Sequence, residues 1–108
     1  MRVKPEEVRA IIETEMLDLS PFIKAANLQC TKHLSDVEAG LLKEIERWLA
    51  AHYIAVKEAQ ESGDQKTLIM LRNRYGLSST YYGQQALALD PTGKLAALGR
   101  RAVEFKVL

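Results

Sequence analysis

Residues 35–61, Ser35-Asp36-Val37-Glu38-Ala39-Gly40-Leu41-Leu42-Lys43-Glu44-Ile45-Glu46-Arg47-Trp48-Leu49-Ala50-Ala51-His52-Tyr53-Ile54-Ala55-Val56-Lys57-Glu58-Ala59-Gln60-Glu61, decide the fold. Val37, Leu41, Ile45, Trp48, Leu49, His52 and Val56 recur at helical spacing and make one apolar face. Lys43, Glu46, Arg47 and Lys57 fall largely opposite. Ser35 with Glu38 three residues later fits a capping box, so the helix is expected to start there. At 1.5 Å per residue it would be on the order of 40 Å long, the spine of a small bundle. Ser62-Gly63-Asp64 is the expected stop.

Two shorter helices are expected before the spine. Pro5 opens the first, with Glu6 and Glu7 complementing the helix dipole, and Val8, Ile11 and Ile12 on one face. It should run over 5–16. Asp18-Leu19-Ser20-Pro21 reads as a second start, with Ser20 capping and Pro21 in the first turn. Phe22, Ile23, Ala26 and Cys30 form its inner stripe, and it should end near Leu34. After the spine, Thr67 to Leu71 is a short apolar run whose length slightly favours a strand, and Tyr75 to Ser79 looks like a loop. Thr80 to Leu89 is expected to be helical, with Gly83 a weak point inside it. Asp90-Pro91-Thr92-Gly93 carries a type I turn signature, and Lys94 to Leu98 a short helical turn ended by Gly99. Val103-Glu104-Phe105-Lys106-Val107 alternates in period two, which predicts a half-buried strand. The expected fold class is therefore mainly α, a small helical bundle on a long central helix with a minor C-terminal β element.

The whole chain bounds these readings. Its 108 residues suit one domain over 1–108, and 47% hydrophobic residues argue against intrinsic disorder. Fifteen basic against fourteen acidic residues leave a net charge of +1, which gives no support for bulk binding to nucleic acid or anionic membrane. The charge is uneven, however: residues 35–61 carry net −3 and residues 62–108 net +4. Such opposed patches suit head-to-tail packing between copies. No apolar run approaches the roughly 18–20 residues of a membrane span, and the charged start of the chain reads as mature and cytosolic.

The chemistry-bearing residues are few. Cys30 is the one cysteine, which excludes an intrachain disulfide and a cysteine metal cluster; it reads as a small half-buried helix residue. His33 and His52 are nineteen positions apart, with no carboxylate at the spacing of a metal site or triad. His52, inside the apolar stripe, should be a hydrogen-bonded core or interface histidine. Glu44 and Glu46 do not share a helical face, and no glycine-rich phosphate cradle occurs. Neither enzyme activity nor a metal or cofactor is expected. Arg72, Arg74, Arg100 and Arg101 with Tyr75, Tyr81 and Tyr82 make a possible arginine–aromatic mixture for nucleic acid, without the short helix pair of a helix–turn–helix. A small DNA-binding regulatory or accessory protein is the alternative reading.

Several segments together carry a resemblance. Pro21-Phe22-Ile23 with Ala26-Asn27, then Glu46-Arg47-Trp48-Leu49-Ala50-Ala51-His52, then Ser79-Thr80-Tyr81-Tyr82-Gly83-Gln84-Gln85-Ala86, and Leu89-Asp90-Pro91-Thr92-Gly93-Lys94-Leu95 follow one another in order. Read this way, the chain resembles the head–tail adaptor (connector, or head-completion) proteins of tailed phages, from about residue 5 to 107. The segment 65–75 departs, being more apolar at Leu68 to Leu71 than a glycine-rich linker. The resemblance implies a structural virion protein at the head–tail interface, assembled in the host cytoplasm. It implies a ring of identical subunits, typically twelve, below the portal protein. The ring extends the DNA channel, without sequence-specific DNA binding, and docks the next tail or neck protein.

Candidate interface residues follow from amphipathic character. Tyr81, Tyr82 and Gln84 lie in a segment suited to meeting another protein, although packing on the spine would satisfy the same pattern. Val103, Phe105 and Val107 share one face of the expected terminal strand, and Arg100 and Arg101 precede it. That strand either adds to a sheet edge in a partner or pairs with residues 67–71 of its own chain.

Overall fold

The computed structural model describes residues 2–62 and 76–97. Within them the chain is mainly helical: α1 spans Pro5–Arg9, α2 Ser20–His33, α3 Ala39–Ser62 and α4 Tyr81–Leu89. A 3-10 turn, Gly76–Ser79, leads into α4, and one further helical turn covers 94–97. The expected strands at 67–71 and 103–107 lie outside the described residues.

The long helix is the spine. Its 24 residues correspond to about 36 Å, matching the longest extent of the molecule, 36 Å. α3 lies between α2 and α4 and also meets α1. That arrangement requires more than one buried face. Leu42, Ile45, Leu49 and Ile54 are buried along it, as are Ala50 and Ala51, whose small side chains admit neighbouring helices closely. Leu41, Trp48 and Val56, expected in the buried stripe, are only half-buried. Val37 is buried but precedes the helix.

The start of α3 differs from the expected capping box. Ser35 and Asp36 form a turn, and Glu38 itself receives the helix: its Oε1 accepts from Gly40 N at 2.9 Å and its Oε2 from Leu41 N at 3.2 Å. A longer acidic side chain at that position satisfies two orphan amides at once. A similar shift occurs at α2. Ser20 is the first helical residue rather than the cap, and Asp18 Oδ1 accepts from Ser20 N at 3.0 Å. That bond holds the Asp18 carboxyl below its ordinary range.

α1 is a helix of five residues, not the twelve expected over 5–16. Arg9 explains where the extension is lost. Its Nη2 donates to the carbonyls of Met16 and Leu17 at 2.7 and 3.2 Å, stabilising a non-helical return of the chain. Thr14 completes that return by accepting from Met16 N and donating to Glu58 Oε2 at 2.9 Å. Val8 and Ile12 still reach the core. α1 is fastened to the polar side of α3: Lys43 Nζ lies 3.0 Å from Glu7 Oε2, and Arg47 Nε donates to the Glu7 carbonyl at 2.7 Å. Lys43 lies foremost among the groups that hold the Glu7 carboxyl below its usual value.

Glu46 corrects the expected polar face most sharply. It is 1% exposed. Its Oε1 accepts from Asn27 Nδ2 at 3.3 Å and lies 3.1 Å from Arg2 Nε, an ion pair without hydrogen-bond alignment. Its neighbour Cys30 is fully buried rather than half-buried. Burial, then the Glu46 charge, pushes the Cys30 thiol up to about 12. It is therefore a neutral packing group at ordinary pH.

The end of the described chain is built on Asp90. Its Oδ1 accepts from Thr92 N and the Thr92 hydroxyl, and its Oδ2 from Leu95 N at 3.0 Å. Gly93, at φ +73°, supplies the left-handed residue the turn needs. Lys94 Nζ then reaches Asp36 at 3.1 Å, tying this turn to the one before α3.

Candidate functional site

Three aromatic rings meet where α4 begins. Trp48 comes from α3, and Tyr81 and Tyr82 from the first turn of α4. Tyr82 stacks on Trp48 with centroids 6.3 Å apart and planes at 26°. Tyr81 stands edge-on to both, 5.9 Å from each centroid. Offset-stacked and edge-to-face pairs at such distances are favourable ring geometries. Tyr81 is 61% exposed, whereas Trp48 and Tyr82 are half-buried. The cluster thus presents a rigid aromatic surface with its outermost ring open to solvent.

Its rigidity comes from the turn beneath it. Thr80 is the N-cap of α4, and its Oγ1 accepts from Gly83 N at 2.9 Å. The same oxygen lies 2.7 Å from His52 Nδ1, one helical turn beyond Trp48 on α3. The Thr80 hydroxyl thus bonds both the α4 amide and the imidazole, joining the helix cap to α3. His52 is 5% exposed, and burial pushes it down to about 4. It is a hydrogen-bonded core histidine, neutral near pH 7, and an unsuitable proton shuttle there.

Gly83 is the second element of the turn, and a requirement rather than a weak point. A Cβ built on it would overlap the Leu77 carbonyl oxygen and lie 2.9 Å from His52 Nδ1. Only a residue without a side chain lets α4 press against both the 3-10 turn and α3. Gln84 Nε2 adds a bond to the Ser78 carbonyl at 2.9 Å.

The interface candidates are therefore unequally placed. Tyr81 and Tyr82 come together, and Gln84, exposed, buttresses the turn beside them. Arg100, Arg101, Val103, Phe105 and Val107 lie outside the described residues. Trp48 completes the cluster although its spacing reads as core; a tryptophan at the margin of an apolar stripe was the available signal. Among the described residues no group of three or more His, Cys, Asp or Glu is placed to hold a metal ion. None of the described helices is long and apolar enough to cross a membrane.

The described fold and site define a small helical protein that carries a partly exposed aromatic cluster at the start of α4. No family model matches the chain, and no curated protein or solved structure matches it.

Proposed function

We propose that this chain is a structural adaptor of a tailed-phage virion. In this reading it forms a ring below the portal, extends the DNA channel and docks the next neck or tail component. The observation that carries the reading is the Trp48–Tyr81–Tyr82 cluster. Tyrosine and tryptophan supply large contact area with few torsions to freeze, and both are enriched where proteins meet. Tyr81 projects from a turn fixed by Thr80, His52 and Gly83, so an approaching subunit would meet a preorganised surface. The acidic 35–61 segment and basic 62–108 segment add complementary charge for heterologous contacts, which close into a ring when the rotation allows. Arg100, Arg101, Val103, Phe105 and Val107 are proposed as further contact residues from their sequence pattern alone.

Tyr81→Ala tests this directly, because an exposed ring can be removed without opening the core. We expect it to retain the wild-type melting temperature to within a few degrees and to lose at least about tenfold in affinity for the portal, as truncation of a central aromatic anchor does. Unchanged portal binding would move the contact away from the cluster. The DNA-binding reading predicts instead a salt-sensitive gel shift.

A further inference from the structure

We propose that Glu46, Arg2 and Asn27 form an acid-released latch holding the amino-terminal arm, residues 2–4, against the central helix. At its base the arm is fixed by Lys4 N, which donates to Glu7 Oε1 at 3.0 Å, and two further holds lie beyond it. Val3 is 4% exposed within the core, and Arg2 reaches Glu46 Oε1 at 3.1 Å. Glu46 depends on that charge. It is 1% exposed, its bond from Asn27 Nδ2 is long at 3.3 Å, and its Oε2 has no hydrogen-bond partner. A buried carboxylate so thinly satisfied is costly while ionised. Arg2, by contrast, has a side chain 31% exposed and can turn to water.

Other groups acting on Glu46 do not replace Arg2. From α2, Asn27 is uncharged and the Cys30 thiol, at about 12, stays neutral. The amino-terminal charge adds a smaller attraction than Arg2 does. Burial is the largest influence and raises the Glu46 carboxyl above its ordinary range despite these attractions. Protonation therefore removes the charge that Arg2 answers, and beyond the Lys4–Glu7 bond only the burial of Val3 is left to oppose the entropy of a free arm.

The latch has a distinctive signature, because its local and global effects oppose one another. With the folded carboxyl raised, the folded state binds its proton more tightly than the unfolded chain does. Global stability then falls as pH rises through the folded midpoint. Acid thus loosens the arm while favouring the folded state at this site, which separates release from unfolding. The inference concerns the arm alone and does not rest on the adaptor reading.

The test uses full-length protein with the Val3 methyl groups followed by NMR as pH is lowered. The expected result is movement toward exposed-valine positions, with a midpoint above the ordinary glutamate value of about 4.3. Glu46→Gln should show the released position throughout and melt no lower than wild type near pH 7. Trypsin should cut that variant after Arg2 about two- to fivefold faster, the range expected for losing a partly exposed ion pair. The next basic site, Lys4, precedes Pro5 and resists cleavage. A wild-type Val3 that does not titrate, a titration that persists in Glu46→Gln, or an arm equally protected in that variant would overturn the proposal. Arg2→Ala provides the same test without altering the core. It should release Val3 near pH 7 and raise the Glu46 midpoint, and a packed Val3 with an unchanged midpoint would refute the latch.

Discussion

Replacing Gly83 with alanine sets two effects of opposite sign against each other. Within a helix, alanine is favoured over glycine by about 1 kcal/mol. The new Cβ, however, would overlap the Leu77 carbonyl oxygen and lie 2.7 Å from the Leu77 carbonyl carbon and 2.9 Å from His52 Nδ1. Ordinary carbon contacts begin near 3.5 Å, so the turn and α4 must separate by about 1 Å or more. Overpacking of this kind costs about 1–3 kcal/mol. Separation also stretches the 2.7 Å Thr80–His52 bond, and leaving a buried polar group unpaired costs a further ~1–3 kcal/mol. The clash wins, with a net loss of about 3 kcal/mol. For a domain of this size that lowers the melting temperature by about 10 °C or more. Urea and thermal denaturation read the loss, and Ala88→Gly at an exposed position of α4 gives the propensity term alone. A Gly83→Ala protein as stable as wild type would refute the close approach of α4 to the 3-10 turn.

Two further predictions concern the core. Ile45→Ala removes a side chain that is 0% exposed and should cost about 2–5 kcal/mol; an unchanged denaturation midpoint would mean that this face of α3 is not core. His52 should make stability pH-dependent: its value falls from an ordinary 6.5 to about 4 on folding, so the unfolded chain binds more protons between them. The stability due to neutral His52 is then present above about 6.5 and lost as pH falls toward 4, by an amount on the order of 3 kcal/mol. His52→Gln should flatten that slope, and a slope equal to wild type would assign it elsewhere.

What was legible in the sequence had local causes. α2 follows from apolar spacing and a nearby start signal, and the ends of α2 and α4 lie within a residue or so of expectation. The Asp90–Gly93 turn was legible because its residues act on one another. α1 was misjudged in length because Arg9 bonds to carbonyls seven and eight residues on, outside any helical register. Glu46 was placed on the polar face because nothing near it in sequence marks burial; its partners are Asn27, nineteen residues away, and Arg2, still further off near the start of the chain. The aromatic cluster was half legible. Tyr81 and Tyr82 stood out by composition, but Trp48 belongs with them only because Thr80 and His52 fasten α4 across α3.

Assembly onto a portal ring is what the adaptor reading requires of this chain. The purified chain, alone and mixed with a tailed-phage portal protein, can be measured by mass and by two-dimensional class averages of the particles. The account predicts a closed ring of this chain seated coaxially on the portal, with a central channel. A chain that stays monomeric in the mixture, with portal particles unchanged in mass and outline, would contradict it.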